Sequence, residues 1–426
     1  MTSAVDIQHH VQLMSIFSLK RLSTNDRSQL TKHWVATWTA TTQEVESANL
    51  PPSPFGGEDA DFQFQNATLR QNVRLTIGAE RVRIQFSNLF GQTDLPITAA
   101  SLAFPENGDA GVGGIDSSTL KRLTFNGSPF ITIPPEEIVY SDPVHITVPP
   151  LANLAVTLYS EGGQAGTNIT GHPGSRTTSW METGNKVNAP SITEASAVHW
   201  YFISAVETWV YERNSGLVIL GDSITDGRGS DDNSNNRWPD ALADRLQSNH
   251  ITKMAVNNQA AGGNAVLAGG LGPPLLTRYH RDAIGQAGVK YVMIFEGVND
   301  IGPSDSDEDV QRELFNSLVD AYSQIVADCK LAGLVTIGAT ITPFGDSNYA
   351  DPLREQTRVE INDWILTNGT FDHVVDFAAV IGDGDKLRPE FDSGDHLHPN
   401  VGAYKELARG IDLAIFKDRQ WQQFKA

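Results

Sequence analysis

Residues 216–230 read "GLVILGDSITDGRGS", in which four apolar residues run through Gly221 into a short polar turn. The apolar run at 217–220 is typical of a short strand that is buried on both faces of a parallel sheet. Ser223 follows two residues after the glycine. The stretch fits either a buried strand that ends in an ordinary turn or a strand that presents Ser223 as a nucleophile. The residues elsewhere that could serve Ser223 decide between these two interpretations.

From residue 217 onward, short apolar strands alternate with amphipathic helices. Strands are predicted at 217–220, 291–300, 335–343 and 373–381, with a further strand in "KMAVNNQ", and helices at 237–248, 309–333, 353–368 and 400–416. This alternation predicts a three-layer α/β/α domain with a parallel sheet, which we place at residues 214–426.

The preceding part of the chain has a period of two instead. "NVRLTIGAERVRIQFSNLF" (72–90) alternates apolar and polar residues, and the stretches 144–160 and 200–212 have the same pattern. Clusters of Gly, Pro, Asn and Ser between them indicate turns. We therefore predict an antiparallel β-sandwich or jelly-roll domain at 32–213, preceded by a polar leader at 1–31. The strand at 33–40 could belong to either domain.

The composition excludes several classes of function. The chain has 426 residues, enough for about two domains, and a formal net charge of −20, which disfavours nucleic acid and anionic membranes as partners. Neutral small-molecule or carbohydrate substrates are favoured. A single cysteine, Cys329, excludes a disulfide framework and any site with several cysteine ligands. We expect no metal and no cofactor, and the oligomeric state stays open.

The compartment is also left open by the sequence. No stretch is long and apolar enough to span a bilayer, and the N-terminal residues lack the features of a signal peptide. Four N-glycosylation sequons, at Asn66, Asn126, Asn168 and Asn368, slightly favour an extracellular location.

Polar residues follow each predicted strand of the α/β domain, where ligands bind in an open parallel sheet. They are Asp222 and Ser223, "AGGN" (261–264), "GVND" (297–300) and "DHLHPN" (395–400). A hydrolytic serine needs a base, a group that orients the base, and donors for an oxyanion. Asp395 and His398 are three residues apart, so that Asp395 can orient His398 as the base for Ser223. The N–H groups of Ser223 and Gly263 and the amide of Asn299 are the candidate oxyanion donors.

Each of these elements taken alone has an ordinary structural explanation. Gly-Asp-Ser is a common turn, a Gly-Gly pair is usually a loop, and an Asn-Asp pair after a strand is more often a helix cap. The pair His396 and His398 could also ligate a metal, although no third histidine lies close by in the sequence. The conjunction of four polar elements at four expected strand ends favours catalysis.

At these residues the sequence resembles the SGNH hydrolases, also called the GDSL esterase/lipase family. The resemblance rests on "GDSITDG" (221–227), "AGGN", "GVND" and "DHLHPN", and it covers about residues 217–416. It implies a flavodoxin-like three-layer sandwich that acts as an ester hydrolase. The resemblance further implies Ser223 as nucleophile, His398 as base, Asp395 as its orienter, and Gly263 and Asn299 in the oxyanion hole. The family commonly has Asn-x-Gly before the second block, whereas Ala260 stands here, which leaves open whether Gly262 or Gly263 donates.

"HWVATWTA" (33–40) resembles the start of two-domain secreted esterases that carry a β-domain before the catalytic block. The loop "TGHPGSRTTSW" (170–180) of this domain contains His172 and Arg176, which we consider as substrate-binding residues together with Asp222 and Trp238. An ordinary β-domain loop is the favoured alternative for 170–180. The sequence thus predicts a serine esterase for short-chain acyl esters, with O-acetylated carbohydrates among the candidate substrates. An acyltransferase and a non-catalytic carbohydrate-binding protein are the alternatives.

Overall fold

The computed structural model describes residues 31–417. The predicted leader at 1–31 therefore lies outside the described residues, apart from Thr31. Two halves follow, one rich in antiparallel strands and one with a parallel sheet between helices.

The N-terminal half contains two larger antiparallel sheets. Their strand orders are β1-β18-β5-β10, with β11 also paired to β5, and β16-β15-β4-β12-β7-β8. Short sheets of two or three strands complete this half. In chain order the strands are β1 Lys32–Thr39, β2 Gln43–Glu44, β3 Phe62–Gln63, β4 Ala67–Arg74, β5 Ala79–Ser87, β6 Leu95–Ile97, β7 Ala99–Ala103, β8 Lys121–Arg122, β9 Ile131–Ile133, β10 Ile138–Tyr140, β11 Val144–Val148, β12 Asn153–Ser160, β13 Gln164–Ala165, β14 Thr170–His172, β15 Ser179–Thr183, β16 Ala195–Ala197, β17 Trp200–Tyr201 and β18 Ile203–Tyr211.

Both larger sheets contribute to one apolar core. Val82, Ile84 and Phe86, at every second position of β5, are fully buried, and they share a cluster with Leu69 and Leu158 of the other sheet. The period of two seen in the sequence therefore corresponds to strands with one face in this core. The N-terminal half is strand-rich, and its arrangement as a sandwich or jelly roll stays a prediction.

Strand β1 shows how closely the two halves are joined. It pairs with β18 along its length, from Lys32 opposite Tyr211 to Thr39 opposite Ala205, so it lies in the antiparallel sheet. The N–H of Ala36 nevertheless donates to the carbonyl of Ala287 in the C-terminal half, at 2.9 Å. The sequence did not show to which domain this strand belongs. In the structure it pairs with β18 of the N-terminal half and also contacts the C-terminal half.

The C-terminal half is built on a five-stranded parallel sheet in the order β20-β19-β21-β22-β23. Counted from its own first strand the order is 2-1-3-4-5, which is the flavodoxin-like arrangement. The strands are β19 Ser215–Gly221, β20 Met254–Ala260, β21 Val289–Phe295, β22 Val335–Ala339 and β23 His373–Val375, followed by a small hairpin of β24 Gly382–Asp383 and β25 Lys386–Leu387. The helices are α1 Ser223–Asp226, α2 Trp238–Ser248, α3 Leu275–Tyr279, α4 Val298–Ile301, α5 Glu308–Leu331, α6 Pro352–Thr367, α7 Phe377–Ile381 and α8 Val401–Gly410.

The apolar run at 217–220 forms the middle of β19, and all four of its side chains are fully buried. Strand β19 is flanked by β20 and β21 in parallel register, and helices pack over the sheet. A fully apolar strand is stable only with both faces covered, which is what this layering provides. The structure thus confirms the parallel α/β fold predicted from this run.

Three predicted strands are wrong in part. The strand predicted over 291–300 ends at Phe295, with 298–301 in helix α4, and the strand predicted over 335–343 ends at Ala339. The strand predicted over 373–381 ends at Val375, and "FAAVI" forms helix α7. The Asp376 side chain caps this helix by accepting the N–H of Ala379 at 3.0 Å. A short apolar run does not by itself distinguish a strand from a buried helix, and the capping aspartate determines the outcome here. None of the helices in residues 31–417 is long and apolar enough to cross a membrane.

Candidate active site

Ser223 lies at the carboxyl end of the central strand β19, as the first residue of the one-turn helix α1. The Asp222 side chain caps this helix by accepting the N–H of Ile224 at 2.9 Å. At Gly221 a Cβ would lie 2.6 Å from Thr225 Oγ1 and 3.0 Å from the carbonyl of Phe295. Glycine is therefore required where the strand turns sharply into the helix, and this turn brings Ser223 to the edge of the sheet.

A chain of hydrogen bonds connects Ser223 to the loop that follows β25. Ser223 Oγ lies 2.8 Å from His398 Nε2, and His398 Nδ1 lies 2.7 Å from Asp395 Oδ2. The other oxygen, Asp395 Oδ1, accepts the backbone N–H groups of His398 (2.8 Å) and Leu397 (3.1 Å). Because the carboxylate accepts from Nδ1–H, Nε2 is left as an acceptor for the hydroxyl of Ser223. The structure thus brings together the three residues that the sequence singled out.

The electrostatics of this chain suit a neutral imidazole beside an ionised carboxylate. Burial lowers the pKa of His398 below its ordinary value, although Asp395 opposes this shift, and the nearby Arg228 and Arg176 lower it further. Partial burial alone would raise the pKa of Asp395, but hydrogen bonds from the backbone and ring of His398 outweigh it and lower the pKa to about 2. At neutral pH His398 is therefore able to accept a proton.

Hydrogen bonds also hold the second and third sequence blocks together. Asn299 Nδ2 donates to the carbonyl of Asn264 at 2.9 Å, and the Tyr349 hydroxyl donates to Asn299 Oδ1 at 3.1 Å. The carboxylate of Asp300 accepts the N–H groups of Val266 (2.8 Å) and Leu267 (2.9 Å). The side chain of Asn299 is therefore fixed beside the loop at 261–264, with one amide hydrogen still available.

The N–H groups proposed as oxyanion donors have no hydrogen-bond acceptor in the described part of the chain. Among residues 31–417, no acceptor takes the N–H of Ser223, Gly262 or Gly263. Gly263 has a φ of 71°, a left-handed conformation that favours glycine, whereas Gly262 has no positive φ. The backbone conformation at Gly263 is therefore one that few other residues would adopt. That Gly263 rather than Gly262 donates to an oxyanion stays a prediction.

A buried arginine that the sequence analysis missed connects these blocks. Arg278, on α3, is fully buried, and its Nη2 donates to the carbonyl of Gly221 (3.1 Å) and to Glu296 Oε2 (3.0 Å). Its Nε donates to Asn264 Oδ1 at 2.9 Å, and its Nη1 reaches Asp282 Oδ2 at 3.3 Å. One guanidinium group thus holds the strand end before Ser223 and the glycine loop in a fixed relation.

Asp222 and Trp238, two of the four predicted substrate-binding residues, are both buried. The Asp222 carboxylate is buried in the helix cap, and burial raises its pKa to about 7. The expectation that Trp238 edges the site is wrong, because its ring is fully buried between Phe295 and Phe377 and donates to Thr225 Oγ1. A contact of Asp222 with substrate stays a prediction.

His172, from the N-terminal half, contacts the nucleophile helix directly. Its Nδ1 donates to the carbonyl of Thr41 (2.8 Å), and its Nε2 lies 2.9 Å from Asp226 Oδ1, with both side chains buried. Both ring nitrogens of His172 thus lie within hydrogen-bond distance of an oxygen atom. The contact between His172 and Asp226 joins the N-terminal half to the helix that begins with Ser223.

The other histidine of the final loop, His396, faces away from this chain of hydrogen bonds. Its Nδ1 lies 2.6 Å from Asp392 Oδ2, and the residue is exposed. Among residues 31–417, no three side chains of His, Cys, Asp or Glu are grouped so that they could hold a metal ion.

Comparisons with known proteins give matches to part of this chain. Residues 219–406 match the GDSL-like lipase/acylhydrolase family, so this part of the chain is a GDSL-like hydrolase domain, as the sequence motifs predicted. No curated protein matches the chain. Solved structures that resemble it include a GDSL-like lipase from Bacteroides thetaiotaomicron (18% identity, 47% of this chain and 87% of the other, TM-score 0.35). An acetylxylan esterase from Geobacillus stearothermophilus is also similar (22% identity, 47% of this chain and 94% of the other, TM-score 0.36).

Proposed function

We propose that this GDSL-like domain hydrolyses carboxylic esters through an acyl-enzyme formed on Ser223. The observation that carries the proposal is the continuous hydrogen-bond chain from Ser223 Oγ through both nitrogens of His398 to Asp395. Such a chain gives a hydroxyl group a base and holds that base in the required tautomer. Membership of residues 219–406 in an acylhydrolase family supports ester hydrolysis independently of the geometry.

In the proposed reaction, His398 Nε2 takes the proton of Ser223 while Oγ forms a bond to the carbonyl carbon of the ester. The carbonyl oxygen becomes an oxyanion, for which the N–H groups of Ser223 and Gly263 and the free amide hydrogen of Asn299 are the proposed donors. The tetrahedral intermediate expels the alcohol, which takes the proton from His398. A water molecule then gives a proton to His398 as its oxygen bonds to the acyl carbon. The bond from this carbon to Ser223 Oγ breaks, Oγ takes the proton back from His398, and the acid is released.

The proposed substrates are esters with a short acyl group, including the O-acetyl groups of carbohydrates. Ser223 and His398 are recessed, with relative exposures of 8% and 7%. A recessed nucleophile favours a small acyl group, because a bulky one needs more open space at the carbonyl carbon. We further propose that the two larger sheets of the N-terminal half form a β-sandwich around their shared core.

A fluorophosphonate probe is expected to modify Ser223 and to abolish hydrolysis of 4-nitrophenyl acetate in parallel. The probe forms a bond with an activated serine, and activation here depends on His398. Peptide mapping by mass spectrometry would locate the label, and His398→Ala is expected to be labelled far more slowly. Labelling at another residue, or an active enzyme with Ser223 fully modified, would refute the proposal.

The pH dependence offers a second test, because His398 must be neutral to act as the base. We expect kcat/KM for a neutral ester to fall toward acidic pH with a midpoint below about 6.5, the ordinary histidine pKa, since burial lowers the pKa of His398. Asp395 raises this pKa, so Asp395→Asn should move the midpoint to still lower pH as well as slow the reaction. A midpoint that moves to higher pH in this variant would contradict the assigned role of Asp395.

A further inference from the structure

The loop at 173–178 belongs to the N-terminal half, yet it lies against the segment that follows the nucleophile. The N–H of Asn233 donates to the carbonyl of Arg176 at 2.8 Å, and the N–H of Thr178 donates to Asn233 Oδ1 at 2.7 Å. At Gly174 an added Cβ would overlap the carboxylate of Asp226 in α1. The loop is therefore packed closely against the GDSL-like domain at the site itself.

The backbone of Arg176 is held in an unusual conformation. Its φ of 49° lies in the left-handed region, which is disfavoured for a residue with a side chain. The hydrogen bonds to Asn233 stabilise this conformation. Strained residues of this kind persist where the surrounding structure holds them, and they occur frequently at functional sites.

The guanidinium group of Arg176 has no partner in residues 31–417. The side chain is half-buried, and its Nε is buried without a hydrogen-bond acceptor. By contrast, the buried Arg278 and Arg237 form ion pairs with neighbouring carboxylates. Desolvating an unpaired cation costs free energy. In a chain with 51 acidic and 31 basic residues, an unpaired, half-buried arginine therefore indicates an acceptor that comes from outside residues 31–417.

The charge of Arg176 also acts on the proposed catalytic base. This charge contributes to lowering the pKa of His398 and opposes the effect of burial on the pKa of Tyr404. The other charged groups that act on His398 are Asp395 and Arg228, and Arg228 already has a carboxylate neighbour, with its Nε 3.9 Å from Asp395 Oδ2. An unneutralised cation here opposes the imidazolium ion that forms during catalysis, and a bound anion would remove this opposition.

We propose that Arg176, supplied by the N-terminal half, is a specificity-determining residue that binds a carboxylate group of the ester substrate beside Ser223. The planar guanidinium can donate two parallel hydrogen bonds to a carboxylate. The substrate class is thus esters that carry a free carboxylate, which narrows the proposed esterase function on which this inference rests. The negative net charge of the protein does not exclude them, because salt screens distant charges over about 10 Å whereas a contact pair is screened much less.

The test compares matched esters that differ only in the charge of one group. 4-Acetoxybenzoate and its methyl ester place the carboxylate or its neutral counterpart on the alcohol side. 4-Nitrophenyl 4-carboxybenzoate and its methyl ester place the carboxylate or its neutral counterpart on the acyl side. The wild-type protein is expected to prefer the anionic member of at least one pair.

Arg176→Met should lower kcat/KM for the preferred anionic ester by roughly 10- to 100-fold, the range for hydrogen bonds to a charged group. Its kcat/KM for the neutral partner should change by a smaller factor, so that the ratio of the two values falls. Because the cation lowers the pKa of His398, its removal should also move the acidic limb of the pH profile to higher pH. Arg176→Lys keeps the charge but not the paired hydrogen bonds, so its pH profile should stay close to wild type. Arg122→Met, at an exposed position in β8, is the control for the loss of one positive charge.

Two results would overturn the inference and leave the esterase proposal intact. One is equal activity of wild type on both members of both pairs. The other is an Arg176→Met variant that keeps the wild-type charge preference and the thermal stability of wild type. In the Ser223→Ala background, calorimetric titration with the esters measures the same charge preference without turnover. If wild type hydrolyses none of the four esters and is not labelled by a fluorophosphonate, the esterase proposal fails and the inference about ester substrates fails with it. A charge preference in binding that Arg176→Met abolishes would then show only that Arg176 binds carboxylates.

Discussion

Ser223→Ala is expected to abolish measurable hydrolysis of 4-nitrophenyl acetate and to leave the fold intact. In serine hydrolases, loss of the nucleophile or the base costs about 10⁶-fold in kcat. Ser223 Oγ makes its hydrogen bond to His398, and the Asp222 cap and the Gly221 turn do not depend on it. The variant should therefore keep the melting temperature of wild type to within a few degrees while losing its activity.

The triad residues should also act as one unit. Because Ser223 and His398 serve the same proton transfer, Ser223→Ala/His398→Ala is expected to be no slower than either single variant. Ser230→Ala is a matched control, because it removes the same atom from a neighbouring loop residue whose Oγ donates to the carbonyl of Gly227. Substantial ester hydrolysis by folded Ser223→Ala, or multiplicative losses in the double variant, would contradict the proposed mechanism.

Much of the C-terminal fold could be predicted, because its signals are local. The run at 217–220 is apolar throughout, and only a strand covered on both faces buries such a run. The run at 377–381 is equally apolar but forms a helix, since the capping side chain of Asp376 favours the helix. The order of the strands depends on contacts between distant residues, and no pattern within one strand reveals it.

The candidate site was predictable where its residues form motifs and not where they act alone. Ser223, Asp395 and His398 lie in blocks whose residue types match the chemistry of a hydrolytic serine. Trp238 was wrongly expected at the surface of the site, because the sequence does not show which face of α2 is buried. The link between His172 and Asp226 joins residues 54 positions apart on different halves, and no local pattern indicates it.

The role of Arg278 could likewise not be predicted from the residues around it in the sequence. In "LLTRYH" it has the appearance of an ordinary helical surface residue, yet it is fully buried and has Glu296 and Asp282 as partners. Burial raises the pKa of Glu296, and the guanidinium of Arg278 counteracts this shift. The charged guanidinium group of Arg278 is costly to bury, so its hydrogen bonds must compensate for the loss of solvation.

Arg278→Met is therefore expected to lower the free energy of unfolding by about 3–5 kcal/mol, the usual cost of removing one partner of a buried ion pair. The variant leaves the carboxylate of Glu296 buried without a cation, whereas Asp282 keeps Arg281 as its partner. It also removes donors from Gly221 and Asn264. Adding Glu296→Gln should recover part of the loss, because one uncompensated carboxylate is then absent. Denaturant unfolding of the two single variants and the double variant gives this coupling directly.

Arg74→Met provides the contrasting case. Arg74 Nη2 lies 2.6 Å from Asp244 Oδ1, which is shorter than the 3.0 Å between Arg278 and Glu296, but the Asp244 side chain is 50% exposed. Although the Arg74 side chain is only 13% exposed, water solvates the Asp244 carboxylate in the folded and unfolded states alike, so loss of the pair should cost only about 0.2–1 kcal/mol. If burial rather than distance determines the cost, Arg278→Met will be the more destabilising of the two by several-fold. Equal losses in the two variants, or no recovery from Glu296→Gln, would show that Arg278 does not hold the strand end and the glycine loop in the way its hydrogen bonds indicate.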